Sequence, residues 1–216
     1  MKGTITKIER QKRHADRFNV YIDGDYAASV HEDVLVQHRL HKGQVLQEAD
    51  WLALLSDEEK NKAKQQALRY ISYKRRTSDE VARYLQQKGH TPETVLLALT
   101  WLESCGYIDD RAYAKDWVSE RSRLKGRGRY ALKRELQLKG IDERWIGEAL
   151  DLIGDEEERE LAHKWAHKRY EHVKHLAWPQ IERRIGSFLA RRGFPHELIM
   201  TVLGELREHY AYEEDN

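Results

Sequence analysis

Cysteine occurs once in the 216 residues, proline three times and methionine twice. Each scarcity removes a class of protein. The lone Cys105 can form neither an internal disulfide nor a Cys-rich zinc site, which fits a reducing compartment, and beside Gly106 at an apparent helix end it reads as a small buried filler. With 13 Gly and 3 Pro, the two breakers fall clearly below the roughly 12% of average usage. That favours helix over turn-rich β structure. No window approaches the roughly 20 apolar residues of a membrane span, and Met1-Lys2-Gly3 leads into alternating charged sequence in place of a signal-peptide core. The expectation is a cytoplasmic protein without a membrane partner. Also missing are a G-x-x-x-x-G-K-[ST] phosphate loop, a G-x-G-x-x-G turn after a strand and a G-x-S-x-G elbow. No catalytic residue, metal or cofactor is expected, and the chain does not read as an enzyme.

Charge is abundant, at 35% of residues, and nearly balanced at net +1. The balance is uneven along the chain. Residues 1–60 carry net −2, residues 61–154 net +6 and residues 155–216 net −3. A basic centre between acidic flanks suggests contact with a polyanion and limits indiscriminate sticking to nucleic acid.

The first 46 residues differ from the rest. Phe18 to Ile22 and Tyr26 to Val30 are aromatic and β-branched runs around Asp23-Gly24-Asp25, a connection suited to a hairpin, and Thr4 to Glu9 could add a third strand. His31 to Leu40 reads as a short helix closed at Lys42-Gly43. From Trp51 onward the apolar spacing is helical. Ser56-Asp57-Glu58-Glu59 and Thr77-Ser78-Asp79-Glu80 match the capping box, and Thr91-Pro92 puts proline at the first helical position. Helices of about 10–16 residues follow from these signals.

An internal repeat organises this helical region. With Gly89, Gly140 and Gly193 in register, at spacings of 51 and 53 residues, the neighbours agree in type. Leu85, Leu136 and Leu189 stand four before the glycine, and Val81, Leu132 and Ile185 eight before. Lys88, Lys139 and Arg192 stand one before; Val95, Ile146 and Ile199 six after. Ala98, Ala149 and Val202 follow at nine after, and Leu99, Leu150 and Leu203 at ten. These are one-face helical spacings, so each unit holds a helix, a glycine turn and a helix, preceded by another helix with Tyr70, Trp117 or Trp165 near its apolar face. One unit cannot bury its stripe alone, whereas stacked neighbours can. The expected fold is mainly α, with tandem three-helix repeats in a curved array and a small N-terminal antiparallel β element. Its divisions are 1–55, 56–109, 110–154 and 155–216.

Several stretches are similar to the RecX family of regulatory proteins over nearly the whole chain. They are Leu102-Glu103-Ser104-Cys105-Gly106-Tyr107-Ile108-Asp109-Asp110 with Tyr113-Ala114, then Lys125-Gly126-Arg127-Gly128-Arg129 leading to Leu132-Lys133-Arg134-Glu135-Leu136 and Lys139-Gly140-Ile141. Tyr73-Lys74-Arg75-Arg76 through Glu80-Val81 to Lys88-Gly89 resembles the first repeat. Thr91 and Asp142 suit the N-cap two residues after the repeat glycine, but Pro195 takes that place in the third copy. The resemblance implies a modulator of the RecA recombinase that binds the RecA–single-stranded DNA filament along its groove and restrains its activities. A stand-alone nucleic-acid-binding protein is the alternative, and a hydrolase or nuclease a distant third. The partners implied are the filament, with single-stranded DNA met directly or through it, and the chain is expected to be a monomer.

The candidate contact residues are basic. Arg121, Arg123, Lys125, Arg127, Arg129, Lys133, Arg134 and Lys139 face one acid, Glu135, within residues 121–139. On a helix starting near Tyr130, Leu132 and Leu136 face the core while Arg134 lies roughly 160° from Leu136. Gly126 and Gly128 would let backbone amides approach a phosphate or carboxylate at that helix start. Lys74, Arg75 and Arg76 form the matching set of the first repeat, and Arg183, Arg184, Arg191 and Arg192 a weaker third. His163 and His167 are four apart, but Lys164 stands where a metalloprotease helix needs its glutamate, so surface histidines are expected there. The six tryptophans mostly fall at apolar helical positions, which makes core packing their default role.

Overall fold

The structure, a computed structural model, describes residues 3–214. Met1, Lys2, Asp215 and Asn216 therefore lie outside the described residues. The chain divides into two compact units, one of Met1–Arg76 and Glu80–Ile108, the other of Thr77–Asp79 and Asp109–Asn216.

In the first unit, strands β1 (Gly3–Arg10), β2 (Arg17–Ile22) and β3 (Asp25–His31) pair antiparallel, and a two-residue β4 (Val45–Leu46) joins the free side of β1. The β2–β3 turn is Asp23-Gly24, with φ of 52° and 98°. Two consecutive positive φ values match the right-handed twist of the strands, which is why Asp-Gly suits this turn. One sheet face buries Ile5, Val20, Ile22 and Val30 against Val34 of α1 (Glu32–Gln37) and Trp51 and Leu54 of α2 (Glu48–Ser72). An isolated hairpin would be marginal in water, and this packing removes its apolar face from solvent.

Helix α2 (Glu48–Ser72) is 25 residues long and corrects two expectations. It starts at Gln47, whose N–H donates to the Asp50 carboxylate at 3.0 Å, so Ser56 sits in mid-helix and does not cap it. Its length also exceeds the expected range because it serves two cores. Its first half closes the sheet core, and Ala63 and Ala67 of its second half pack on Val81 and Leu85 of α3 (Ser78–Gln87) and Val95, Ala98 and Leu102 of α4 (Pro92–Ser104). Thr91 caps α4 as expected, accepting from the Thr94 N–H. Cys105 is exposed, contrary to its reading as a buried filler. It is the C-cap of α4, and Leu102 takes the inward position of that last turn.

The second unit holds two three-helix groups, α5 (Asp110–Lys125), α6 (Arg129–Leu138) and α7 (Glu143–Leu150), then α8 (Asp155–Tyr170), α9 (Trp178–Arg192) and α10 (His196–Glu214). The repeat register holds inside each group. Leu85, Leu136 and Leu189 are each fully buried, as are Val81, Leu132 and Ile185. Asp142 caps α7 through Arg144 N–H, whereas α10 begins at His196 with the Pro195 carbonyl accepting from Ile199 N–H. Proline there supplies the carbonyl without a capping side chain.

The repeat glycines end their helices with positive φ, and at Gly193 (φ 88°) a second reason appears. A Cβ there would lie 2.2 Å from the Ala131 backbone nitrogen. Only glycine allows α6 of one group to approach this turn of the next so closely.

Candidate partner-binding surface

In the second unit the cations of residues 121–139 meet more acid than their own stretch contains. Glu135 lies 3.6 Å from Arg121 and 3.5 Å from Arg127, and it also accepts from the Trp117 indole N–H. Arg121 stacks over Trp117 at 4.0 Å. Arg123 is exposed with Glu157 at 3.9 Å, and Lys133 pairs with Glu143 at 3.1 Å. Glu143 is held below the usual carboxylate range, first by the hydrogen bond from Gln137 and then by Lys133. Lys139 lies over the Trp117 ring at 4.7 Å.

Arg129 is the most engaged of the set. Its Nη2 donates to the Ile153 carbonyl at 2.8 Å and to Asp155 at 2.9 Å, its Nε lies 3.3 Å from Glu158, and its backbone N–H donates to Glu158 Oε1 at 2.7 Å. Glu158 is buried. A carboxylate at the first turn of α6 meets the unpaired amides and positive end of the helix. The amides expected to approach a phosphate or carboxylate thus meet a carboxylate, and it is one of the same chain.

The glycine loop is likewise used internally. Gly126 has φ 59°, and a Cβ on it would lie 1.8 Å from Trp165 Nε1, while Gly128 N–H donates to the Arg192 carbonyl at 2.9 Å. Arg192 Nη1 in turn donates to the carbonyls of Lys125 at 2.7 Å and Gly126 at 3.1 Å, and its guanidinium stacks 3.4 Å from the Trp165 ring centre. Burial, with Arg127 as a lesser influence, pushes Arg192 below its ordinary pKa. Arg192 thus works as a clamp, and one of the four residues of the third basic set is engaged within the chain.

Lys125 and Arg134 are exposed, and neither has an ion-pair partner among the described residues. In the first unit, Lys74 and Arg75 are exposed, whereas Arg76 is partly buried, 4.3 Å over the Tyr70 ring and 3.9 Å from Glu80.

Sequence reading missed the acids that organise these joints. Glu58 on α2 accepts the His31 N–H at the start of α1 and pairs with Arg17, both at 2.7 Å. Within the second unit Asp110 accepts the Ser78 N–H at 2.9 Å, as Glu158 accepts that of Arg129. Ser78 and Arg129 are 51 apart, and Asp110 and Glu158 are 48 apart, the offset that also relates Trp117 to Trp165. That second offset was the available signal. Among the described residues no group of three or more His, Cys, Asp or Glu is placed to hold a metal ion, and His163 instead meets Glu205 at 2.6 Å.

Comparison with known proteins accounts for this order of elements. Family models match the regulatory protein RecX N-terminal domain at residues 3–47 and the RecX first, second and third three-helix domains at 63–102, 109–150 and 155–203. The chain belongs to the RecX family. Among its relatives is the regulatory protein RecX of Bacillus licheniformis, 36% identical over 212 residues that span 98% of this chain and 79% of that one. The RecX of Bacillus subtilis is 33% identical over 211 residues, with 98% and 79% covered. A crystal structure of regulatory protein RecX superposes with a TM-score of 0.79 at 32% identity, over 93% of this chain and 98% of that one. RecX from Lactobacillus salivarius gives 0.65 at 26% identity, over 70% and 98%. A regulatory role follows from RecX membership, and no helix among the described residues is long and apolar enough to cross a membrane.

Proposed function

We propose that this chain binds the RecA filament on single-stranded DNA and restrains recombinase activity without catalysing a reaction of its own. Membership in the RecX family, with the N-terminal domain and all three helical domains matched in order, carries this reading. The distribution of charge supports it in a narrower form than composition suggested. Of the ten cations at issue, Arg75, Arg76, Arg121, Arg123, Arg127, Arg129 and Lys133 have partners within the chain, and the outward set with no ion-pair partner among the described residues is Lys74, Lys125 and Arg134. The protein acts as a monomer in the cytoplasm, meeting single-stranded DNA directly or through the filament.

The test is a titration of the purified protein into RecA hydrolysing ATP on single-stranded DNA. Hydrolysis should fall in a saturable manner, and the protein alone should leave ATP and DNA unchanged. Undiminished hydrolysis at saturating protein would end this reading. Strong, steeply salt-dependent binding to DNA without RecA would favour the stand-alone nucleic-acid binder instead, because phosphate contacts release counterions.

A further inference from the structure

Helix α6 exposes a stripe that neither the repeat nor the internal ion pairs explain. Tyr130 and Leu138 are 62% and 71% exposed, and Arg134 is exposed midway between them. Residues at i, i+4 and i+8 follow one another along one side of a helix, here over about 12 Å. Of the three cations on α6, Arg129 is held by Asp155 and Glu158 and Lys133 by Glu143, so only Arg134 has no ion-pair partner among the described residues. The stripe is thus one guanidinium framed by an aromatic and an aliphatic side chain.

Its counterparts show that the fold does not require it. In the 51- and 53-residue registers the same positions carry Asp79, Arg83 and Gln87 on α3, and Arg183, Ser187 and Arg191 on α9. The inward positions of all three helices stay apolar, and only α6 places large apolar groups outward at these points. Single exposed apolar residues are ordinary, whereas tyrosine and arginine are residue types enriched at protein-docking centres, and here they share one face with an exposed leucine that adds apolar area.

We propose that this face of α6 docks a protein surface that presents a carboxylate between apolar side chains, and that it does not track nucleic acid. Charge supports the choice. A strand-binding groove needs successive free cations along the phosphates, usually with several stacking rings. Here six of the eight cations in residues 121–139 are engaged within the chain, through Glu135, Glu143, Glu157, Asp155, Glu158 or the Trp117 ring. A lone arginine with apolar flanks instead suits a desolvated pair, which mainly slows dissociation. The proposal rests on the recombinase reading and names the chemistry by which the partner is held.

The experiment compares wild type with Arg134→Glu, Tyr130→Ala and Leu138→Ala in two assays: binding to RecA filaments assembled on oligo(dT), and binding to oligo(dT) alone. Thermal unfolding of each variant serves as the control for folding. Arg134→Glu should weaken filament binding at least tenfold, mostly through faster dissociation. Tyr130→Ala and Leu138→Ala should each weaken it severalfold, and all three should bind oligo(dT) as wild type does, within twofold. Arg134→Lys should recover part of the affinity, which a simple surface-charge effect would restore in full. Tight filament binding by wild type and all three variants would overturn the docking face alone. A parallel loss of oligo(dT) affinity would make it a nucleic-acid surface. Wild type that fails to bind the filament would sink the recombinase reading and the docking proposal with it.

Discussion

Helices α6 and α9 occupy the same place in successive repeats, and they agree on one side while differing on the other. Leu132 and Leu136 of α6 match Ile185 and Leu189 of α9, all four buried to the same degree. Their outward positions share no chemistry, with Tyr130, Arg134 and Leu138 on one helix and Arg183, Ser187 and Arg191 on the other. Packing imposes one answer on the inner face, because a large-to-small change there leaves a cavity. Solvent imposes almost none on the outer face, so what stands there is open to partner contact.

The most severe way to probe this agreement is to truncate it. Leu136→Ala and Leu189→Ala should each lower stability by about 2–5 kcal/mol in chemical denaturation, and values differing severalfold would show that the two sites are not equivalent. A difference between two arginines of α6 sharpens the contrast of faces. Arg129→Ala leaves Glu158 buried without its guanidinium partner, held by the backbone N–H of residue 129 alone, and should cost about 3 kcal/mol, whereas Arg134→Ala should change stability by less than about 0.5 kcal/mol. A triple reversal of Arg127, Arg129 and Arg134 would therefore confuse unfolding with lost binding, and Arg134 alone is the informative change.

Gly193→Ala tests the joint between the two groups. It forces a side chain into positive φ and against Ala131, and should cost about 2 kcal/mol or more. Gly89→Ala, where nothing lies within 4 Å of the added Cβ, should cost only about 1 kcal/mol from the backbone itself. Equal losses in thermal unfolding would show that the close approach at Gly193 contributes nothing.

The smallest effect carries the comparison into the first unit, where the pairing is lighter. Asp57 is held below the usual carboxylate range, first by the hydrogen bond from Lys60 and then by His38. A depressed carboxylate stabilises the fold above its unfolded pKa of about 4 and loses that contribution as pH falls through the lower folded value. Asp57→Asn should cost less than about 1 kcal/mol at neutral pH, and the difference from wild type should shrink as pH falls below about 4. A gap that widens on acidification would contradict the sign.

Part of the molecule was legible before its structure. The hairpin at Asp23-Gly24, the caps at Thr91 and Asp142 and the inward leucines of each repeat all follow from neighbours a few residues apart. The start of α2 was misplaced because Ser56-Asp57-Glu58-Glu59 satisfies the local capping rule equally well, and only the packing of Trp51 and Leu54 on the sheet extends the helix back to Glu48. Glu58, read as part of a cap, turned out to face Arg17 and the His31 amide, 41 and 27 residues away.

Sequence alone determined the number of helical repeats, their register and their buried faces, because helical periodicity and turn glycines act over one or two turns of chain. Only the tertiary structure decided which cations are held within the chain and which are left outward. A guanidinium is held or left free according to carboxylates brought close by folding, and the acids that hold Arg129 and Lys133 come from α8 and α7. Charge counted along the chain saw eight cations and one acid, whereas charge in three dimensions leaves Arg134 and Lys125 outward and without an ion pair among the described residues. The reason is physical: electrostatic attraction depends on distance through space, and no local pattern of sequence encodes which distant acid will arrive.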